Sequence, residues 1–250
     1  MSVATSEPVW SGIHASFDAV GATANPFDEE RWLESCRARV QRFRQQCAED
    51  TRPPLHDRPT VMPAVLATLA ARGPLRVVDV GGGAGVSYLQ AQQCAPGCAE
   101  RWTVVERPSL CAPLAALHAG DARIAFQPTL ASAGACSLVL FASSLHYLQD
   151  WQGALAQAAG TGCTWMLLEE VPAVNVSTYA TGQRYYDRRI PVWMLSHAEL
   201  VEHLRALGFA LRMHERYPSP VNGALREFPM DNFPPSHRVG YASTYLFTRA

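Results

Sequence analysis

The sequence predicts an α/β fold with a seven-stranded, mostly parallel sheet, helices on both faces, an antiparallel last strand and an amino-terminal helical extension. From residue 75 onward, short apolar runs alternate with helix-like segments, which is typical of a parallel sheet covered on both sides. The last two apolar runs are joined by an irregular stretch instead of a helix, so we expect them to pair antiparallel. A length of 250 residues suits one such domain with an appendage.

Residues 1–72 are expected to form a lid segment followed by helices, ahead of the main domain at 73–250. The stretch "VWSGIHASF" carries aromatic residues in an irregular context, and such residues usually pack against the rest of a protein. Residues 28–50 are typical of an amphipathic helix with acidic residues in its first turn, where the helix dipole favours them. A second helix is predicted over 60–72, because a Gly-Pro pair follows it.

Seven strand-like runs make up the predicted sheet of the main domain. In chain order they are "LRVVDV", "RWTVVE", "RIAFQ", "CSLVLFASSL", "TWMLLEEV", "ALRMHERYP" and "YASTYLFTR". Helices are predicted between them at 85–95, 109–119, 150–159 and 196–209. The last of these is strongly amphipathic, with Ser196 as its N-cap and Gly208 as its terminator. This order is typical of a Rossmann-like sheet.

Composition excludes several functions. Charged residues make up 17% of the chain and the net charge is −1, so no nucleic-acid partner is expected. Neither a signal peptide nor a membrane span is recognisable, and we expect a cytoplasmic protein without a membrane partner. Seven scattered cysteines without a CxxC pair predict reduced thiols and no metal site. All 21 basic residues are arginine, which excludes lysine-dependent chemistry such as a Schiff base.

A turn with four glycines follows the first strand of the main domain. In "VVDVGGGAGV" the strand ends in Asp79, and Gly81, Gly82, Gly83 and Gly85 come next. The dinucleotide fingerprint requires a third glycine where this chain has valine, and a carboxylate before the glycines would repel a pyrophosphate. A cofactor with an ammonium group and no phosphate tolerates that carboxylate. S-adenosylmethionine is such a cofactor.

The next strand ends in a second carboxylate, Glu106, about 20 residues after the glycine turn. A carboxylate at this place can accept hydrogen bonds from both ribose hydroxyls of a cofactor. Because NAD sites use the same device, Glu106 indicates an adenosine cofactor without distinguishing between the two.

These motifs resemble a class I S-adenosylmethionine-dependent methyltransferase over residues 75–250. The resemblance rests on the glycine turn, Glu106, "CSLVLFASSLHYL" and "AELVEHLRALGF". The segments "VWSGIHASFDAV", "WTVVERP", "SSLHYLQD", "LLEEVPAV" and "GQRYY" are similar to a narrower family of small, mostly uncharacterised methyltransferases with an amino-terminal Trp-x-Gly segment. Its members occur in gene clusters for surface polysaccharides and natural products. This chain departs from them at His146, where the family more often has Gln.

The resemblance implies a cofactor site at the carboxyl ends of the strands. Its residues would be Asp79, Gly81, Gly82, Gly83, Gly85, Glu106, Arg107, Gln127, Ser143 and Ser144. The glycines would approach the methionine part, with Asp79 on the ammonium group directly or through water and Glu106 on the ribose. Arg107 would flank the adenine and Gln127 would approach its amino group, while the two serines would lie near the sulfur.

Candidate catalytic residues come from the same edge of the sheet. His146 follows "FASSL" at the end of the fourth strand, and the ordinary histidine pKa of about 6.5 suits a general base, although the residue could instead cap the next helix. Tyr147 could orient the acceptor or belong to the core. Glu169 and Glu170 end the fifth strand, and alternation points one of them at the pocket. Glu169 is the candidate named here, with the choice between the two open.

Candidate acceptor-binding residues lie in two segments. Residues 175–194 connect the fifth strand to its helix, and Gln183, Arg184 and Tyr186 give this segment a polar and aromatic character suited to a small molecule. Its arginines raise the possibility of an anionic acceptor. Trp10 and His14 belong to the expected lid, where they could line the pocket or simply anchor the segment.

The leading hypothesis is therefore a methyltransferase that acts on a small molecule, most simply at oxygen, in natural-product or surface-glycan biosynthesis. S-adenosylhomocysteine would be the second product. An N-, S- or C-directed methyltransferase, a non-catalytic cofactor-binding subunit and another S-adenosyl-group reaction such as aminopropyl transfer stay open. An NAD-dependent oxidoreductase is disfavoured by the valine in the fingerprint, by Asp79 and by the lack of lysine. The amino-terminal helices could also form a homodimer interface.

Overall fold

The structure is a computed structural model that describes residues 8–21, 27, 30–49, 60–185, 188–217, 219–221 and 224–250. Its strands are β1 (Trp10–His14), β2 (Leu75–Val80), β3 (Ala99–Val105), β4 (Ile124–Gln127), β5 (Leu138–Ala142), β6 (Trp165–Val171), β7 (Ala173–Val174), β8 (Tyr179–Tyr185), β9 (Arg188–Ser196), β10 (Phe209–Tyr217), β11 (Ser219–Val221), β12 (Ala224–Arg226) and β13 (Ala242–Arg249). Its α-helices are α1 (Glu30–Glu49), α2 (Met62–Ala70), α3 (Val86–Cys94), α4 (Pro108–Ala115), α5 (Leu130–Ala133), α6 (Trp151–Gly160) and α7 (His197–Ala206).

The main sheet has seven strands in the order β10-β13-β6-β5-β2-β3-β4. Strands β2 to β6 run parallel, whereas β13 pairs antiparallel with both β6 and β10. The predicted fold is confirmed, including the antiparallel pairing of the last two strand-like runs.

Alternate residues of the central strands build two separate cores, one on each face of the sheet. Val139 and Phe141 pack with residues of α6 and α7, whereas Leu138 and Leu140 pack with residues of α2 and α3. All four side chains have 0% exposure, as the near-continuous apolar run in β5 requires of a strand buried on both faces.

The predicted limits of α7 agree with its caps. The Ser196 hydroxyl accepts a hydrogen bond from the Glu199 backbone N–H, and Gly208 ends the segment in the left-handed region at φ 83°. Each device satisfies a backbone group that the helix end would otherwise leave exposed.

The structure has a second sheet, in the order β1-β8-β9-β7, which was not predicted from the sequence. Residues 175–194 were expected to line the acceptor pocket, but no strands were predicted there. They form β8 and most of β9, which pair antiparallel. Strand β1 pairs antiparallel with β8 on the side opposite β9. The described part of the expected lid is therefore a strand that joins this segment.

Helix α1 packs its apolar face onto the turn between β2 and α3. Leu33, Cys36 and Val40 form one buried cluster with Ala84 of the glycine turn and Leu110 of α4. The amino-terminal extension thus covers the region where the sequence predicts the cofactor. Among the helices described, none is long and apolar enough to cross a membrane.

Candidate active site

The glycine turn between β2 and α3 is shaped by close contacts that leave no room for side chains. A Cβ atom added to Gly81 would lie 2.7 Å from the Ser144 Cβ, and one on Gly82 would lie 2.4 Å from the Asp79 carboxyl. Gly81 also has φ 67°, a conformation that other residues rarely adopt. The turn therefore keeps its bare backbone exposed to whatever binds at this edge of the sheet.

Asp79 lies beneath this turn and is fully buried, with 0% exposure. The indole N–H of Trp102, on neighbouring β3, donates a hydrogen bond to its carboxylate at 3.3 Å. The carboxylate is thus positioned under Gly82 and not in the open pocket.

Glu106 holds the glycine turn from the adjacent strand. Its two carboxylate oxygens accept hydrogen bonds from the backbone N–H groups of Gly83 and Arg107, each at 3.1 Å. Burial raises the pKa of Glu106, and these two hydrogen bonds oppose the shift. The carboxylate therefore lies next to the glycine turn.

His118 holds the other side of the turn and is not among the site residues predicted from the sequence. Its Nε2–H donates a hydrogen bond to the Ala84 carbonyl at 2.8 Å, and the residue is 5% exposed. Burial lowers the pKa of this imidazole, which favours the neutral form. No local motif marks it, because it comes from a short 3-10 turn after α4, some 34 residues from its partner.

Arg107 and Gln127 flank Glu106 at the ends of their strands. Arg107 is the N-cap residue of α4, and the Gln127 carbonyl accepts a hydrogen bond from the Glu106 backbone N–H at 3.0 Å. Both side chains are half-buried. The structure thus brings the predicted adenine-side residues together at one edge.

The ends of β5 and β6 carry the two non-glycine residues with positive φ in the described chain. Ser143 has φ 58° and Glu170 has φ 55°. Such conformations cost free energy and cluster at functional sites. The neighbouring Ser144 donates a hydrogen bond from its hydroxyl to the Val80 carbonyl, which ties the end of β5 to the start of the glycine turn.

His146 and Tyr147 follow immediately, in a short 3-10 turn after β5. His146 is buried with 6% exposure, and its ring centroid lies 4.3 Å from that of Tyr147. The Tyr147 hydroxyl donates a hydrogen bond to the Gln183 side-chain carbonyl on β8 at 2.9 Å. Two predicted groups, one catalytic and one acceptor-binding, thus meet across the two sheets.

Aromatic rings surround this junction. The Phe27 ring lies 5.4 Å from Tyr147, 5.3 Å from Tyr185 and 6.0 Å from Trp32, measured between centroids. Trp32 also lies 3.7 Å from a Cβ position at Gly83. These rings connect the glycine turn to the second sheet. Tyr185 belongs to the segment expected to line the acceptor pocket, whereas neither Phe27 nor Trp32 was predicted as a site residue.

Glu169 makes a contact that its predicted catalytic role did not anticipate. Its carboxylate accepts a hydrogen bond from the Thr60 hydroxyl at 2.6 Å, and the same hydroxyl accepts one from the Met62 backbone N–H at 3.0 Å. Glu169 therefore fixes the start of α2 against the end of β6.

Three other predicted acceptor residues lie on β1 and β8, and Trp10 is the direct cross-strand partner of Gln183. Trp10 is 6% exposed and stacks on Phe228 at 4.8 Å, within a separate apolar cluster. His14 lies 3.4 Å from Arg189 on the second sheet. Arg184 is exposed, because strand alternation places it on the face opposite Gln183. Tyr186 lies outside the described residues.

Within the part of the chain that is described, no group of three or more His, Cys, Asp or Glu side chains is placed to hold a metal ion. The described site residues are a backbone turn, two carboxylates and a cluster of histidine, tyrosine and glutamine side chains.

Comparisons with known proteins support the fold. No protein-family model and no curated protein matches the chain. Among solved structures, 1,6-didemethyltoxoflavin-N1-methyltransferase from Burkholderia thailandensis, with bound 1,6-didemethyltoxoflavin and S-adenosylhomocysteine, is 18% identical with a TM-score of 0.50. That match covers 91% of this chain and 93% of the other.

A protein from Listeria monocytogenes, provisionally assigned as an S-adenosylmethionine-dependent methyltransferase, is 11% identical with a TM-score of 0.51. The match covers 75% of this chain and 99% of the other. Together with the strand order and the glycine turn, these likenesses show that the chain has the fold of class I S-adenosylmethionine-dependent methyltransferases.

Proposed function

We propose that this protein transfers a methyl group from S-adenosylmethionine to a small-molecule acceptor held between the two sheets. The observation that carries the proposal is the juxtaposition of the glycine turn, held by Glu106, with the buried His146–Tyr147 pair and Gln183. When bound, the cofactor supplies an electrophilic methyl group on a positively charged sulfur.

The residues at the turn fit the proposed cofactor. A backbone with no Cβ atoms at Gly81 and Gly82 admits a close ligand, and the two carboxylates suit an ammonium group and ribose hydroxyls better than a pyrophosphate. Glu106 would exchange its bonds to the Gly83 and Arg107 amides, in part, for the ribose hydroxyls.

The residues across the junction would position the acceptor. Methyl transfer needs an in-line arrangement of acceptor atom, methyl and sulfur, and positioning can supply about 7–11 kcal/mol of the barrier. Because the Tyr147 hydroxyl donates to the Gln183 carbonyl, the Tyr147 oxygen can still accept a hydrogen bond and the Gln183 side-chain NH2 can still donate one. His146 would take the proton of a hydroxyl acceptor. A hydroxyl-bearing intermediate of natural-product or surface-glycan biosynthesis suits these three side chains as the methyl acceptor.

A titration tests the proposal. We expect S-adenosylmethionine and S-adenosylhomocysteine to bind in isothermal calorimetry, and NAD not to bind. Glu106→Ala should weaken S-adenosylhomocysteine binding about tenfold or more, since it removes a charged hydrogen-bonding group. Glu100→Ala, at an exposed position of the same strand, is the matched control. Tight NAD binding without a response to the other two ligands would overturn the proposal.

A further inference from the structure

Two cysteines lie side by side at the amino-terminal edge of the main sheet, opposite the candidate active site. Cys136 and Cys163 precede β5 and β6, and each comes two residues before the in-register pair of Leu138 and Trp165. Neighbouring strands are about 4.8 Å apart, within the Cα separation of about 4.4–6.8 Å that a disulfide needs. The fold therefore places the two thiols within bonding reach.

The hydrogen bonds around the pair make the two thiols unequal. The two thiols are free and hydrogen-bond to each other. The Cys136 Sγ lies 3.3 Å from the Thr161 Oγ1, and the Cys163 Sγ lies 3.5 Å from the Ala158 carbonyl oxygen. The bond from Cys163 lowers the pKa of Cys136 to about 7, whereas the same bond raises the pKa of Cys163. Burial raises the pKa of the other five cysteines.

The two thiols also differ in their exposure to solvent. Cys163 has 0% exposure, but Cys136 is half-buried and lines a cavity of about 240 Å³ together with Arg76, Arg101 and Thr103. Arg76 also pairs with the Glu100 carboxylate at 3.1 Å. A small reagent therefore meets Cys136 first, beside two guanidinium groups that favour carboxylates.

We infer that Cys136 and Cys163 form a thiol–disulfide exchange site for small, carboxylate-bearing disulfides, with glutathione disulfide as the representative reagent. The Cys136 thiolate attacks one sulfur of the reagent, whose S–S bond breaks, and a glutathione thiolate leaves and takes up a proton. Cys163 then loses its proton and attacks the Cys136 Sγ, which releases the second glutathione. The two protein thiols are oxidised to one disulfide, and the reagent is reduced to two thiols.

Mass spectrometry of the intact protein and of its peptides tests the site. With glutathione disulfide, the native protein should lose two hydrogens and form a Cys136–Cys163 peptide. Cys163→Ser should instead accumulate a mixed disulfide on Cys136, and Cys163→Ala serves where the serine variant does not fold. Cys136→Ser should form neither product.

The exposed Cys94 provides the matched control. Cys94→Ser should leave the reaction unchanged, and Cys136 should react about tenfold faster than Cys94 near neutral pH, because more of it is thiolate. Cystamine, a cationic disulfide, should react more slowly than glutathione disulfide at Cys136. Equal labelling of Cys94 and Cys136, or a stable mixed disulfide in the native protein, would overturn the inference. Neither outcome bears on cofactor binding at the other edge of the sheet.

Discussion

The imidazole of His118 fixes the backbone of the glycine turn at Ala84. His118 donates its Nε2–H to the Ala84 carbonyl, and its Nδ1 has no hydrogen-bond partner among the described residues. A Cβ atom on Gly85 would lie 3.2 Å from the same Nε2, so the ring and the turn fit closely. Together with Glu106, which accepts a hydrogen bond from the Gly83 amide, His118 holds the backbone of the proposed cofactor site.

His118→Phe should weaken S-adenosylhomocysteine binding about 2- to 10-fold, the effect of one lost hydrogen bond, while the protein stays folded. His118→Gln can restore a donor to the Ala84 carbonyl and should lose less. The control is His203→Phe, since His203 bonds the Gln152 carbonyl instead of the glycine turn. Calorimetric affinities measure the difference. Equal losses in the Phe and Gln variants would contradict the role of the hydrogen bond.

The same residue predicts a pH dependence of stability. Burial lowers the pKa of His118 in the folded state, whereas the unfolded value is about 6.5. Its contribution to stability is therefore present above about pH 6.5 and is lost as the pH falls below it. The Arg44 charge acts in the same direction and the Asp121 charge opposes it. His118→Gln should lose less unfolding free energy than the native protein between about pH 7 and pH 5, as urea titration measures.

His146 carries the prediction about chemistry. His146→Ala should retain S-adenosylhomocysteine affinity, since Glu106 and His118 supply the side-chain hydrogen bonds that hold the glycine turn. For a hydroxyl acceptor found by screening, kcat should fall about 10²- to 10⁴-fold, because a general base is removed. Initial rates of methyl transfer measure this effect. A variant with native kcat would show that His146 is not the base.

At the scale of the elements, the contrast between the two sheets shows what the sequence could predict. In β5 and β6 the apolar runs are continuous and the connecting helices are amphipathic, so strand and helix patterns agree. The glycines and Glu106 were predicted because they follow the ends of two successive strand-like runs, about 20 residues apart. These parts of the fold and the site depend on residues that are near each other in sequence.

The second sheet depends on pairing that no local pattern contains. Ile190, Val192 and Met194 alternate as a strand should, but Pro191 and Gly182, which face each other across β8 and β9, lower strand propensity. Thr181 donates a hydrogen bond to the Ser11 carbonyl across 170 residues. His118 and Phe27 escaped prediction for the same reason, since only tertiary structure brings them to the site.

Gly182 provides a test of the second sheet. A Cβ atom there would lie 1.9 Å from the Arg189 Nε, and the Arg189 guanidinium donates to the Ser11 carbonyl at 3.0 Å. Gly182→Ala should displace that side chain and destabilise the protein by about 1 kcal/mol. In an Arg189→Ala background the same change should cost less, with a coupling of about 0.5 kcal/mol or more in urea unfolding. Additive effects would contradict the contact.

For the molecule as a whole, the proposed cofactor should stabilise the fold. A ligand at 100 times its dissociation constant adds about 2.7 kcal/mol, which corresponds to roughly 5–10 °C in a protein of this size. We expect S-adenosylhomocysteine to raise Tm by this amount in a thermal melt. NAD should leave Tm unchanged, and Glu106→Ala should shrink the shift at equal ligand concentration. A native shift in that variant would contradict the role of Glu106.

The position of β13 has a consequence for how the protein is made. This strand is synthesised after all the others described, yet it lies inside the sheet, between β6 and β10. During translation β10 therefore emerges with no strand beside it, for roughly 2–7 s at ordinary elongation rates, until residues 242–249 arrive. A nascent chain at that stage presents two incomplete sheet edges. Ribosome-associated chaperones would find their binding surface there, and a premature stop before β13 would leave it permanently open.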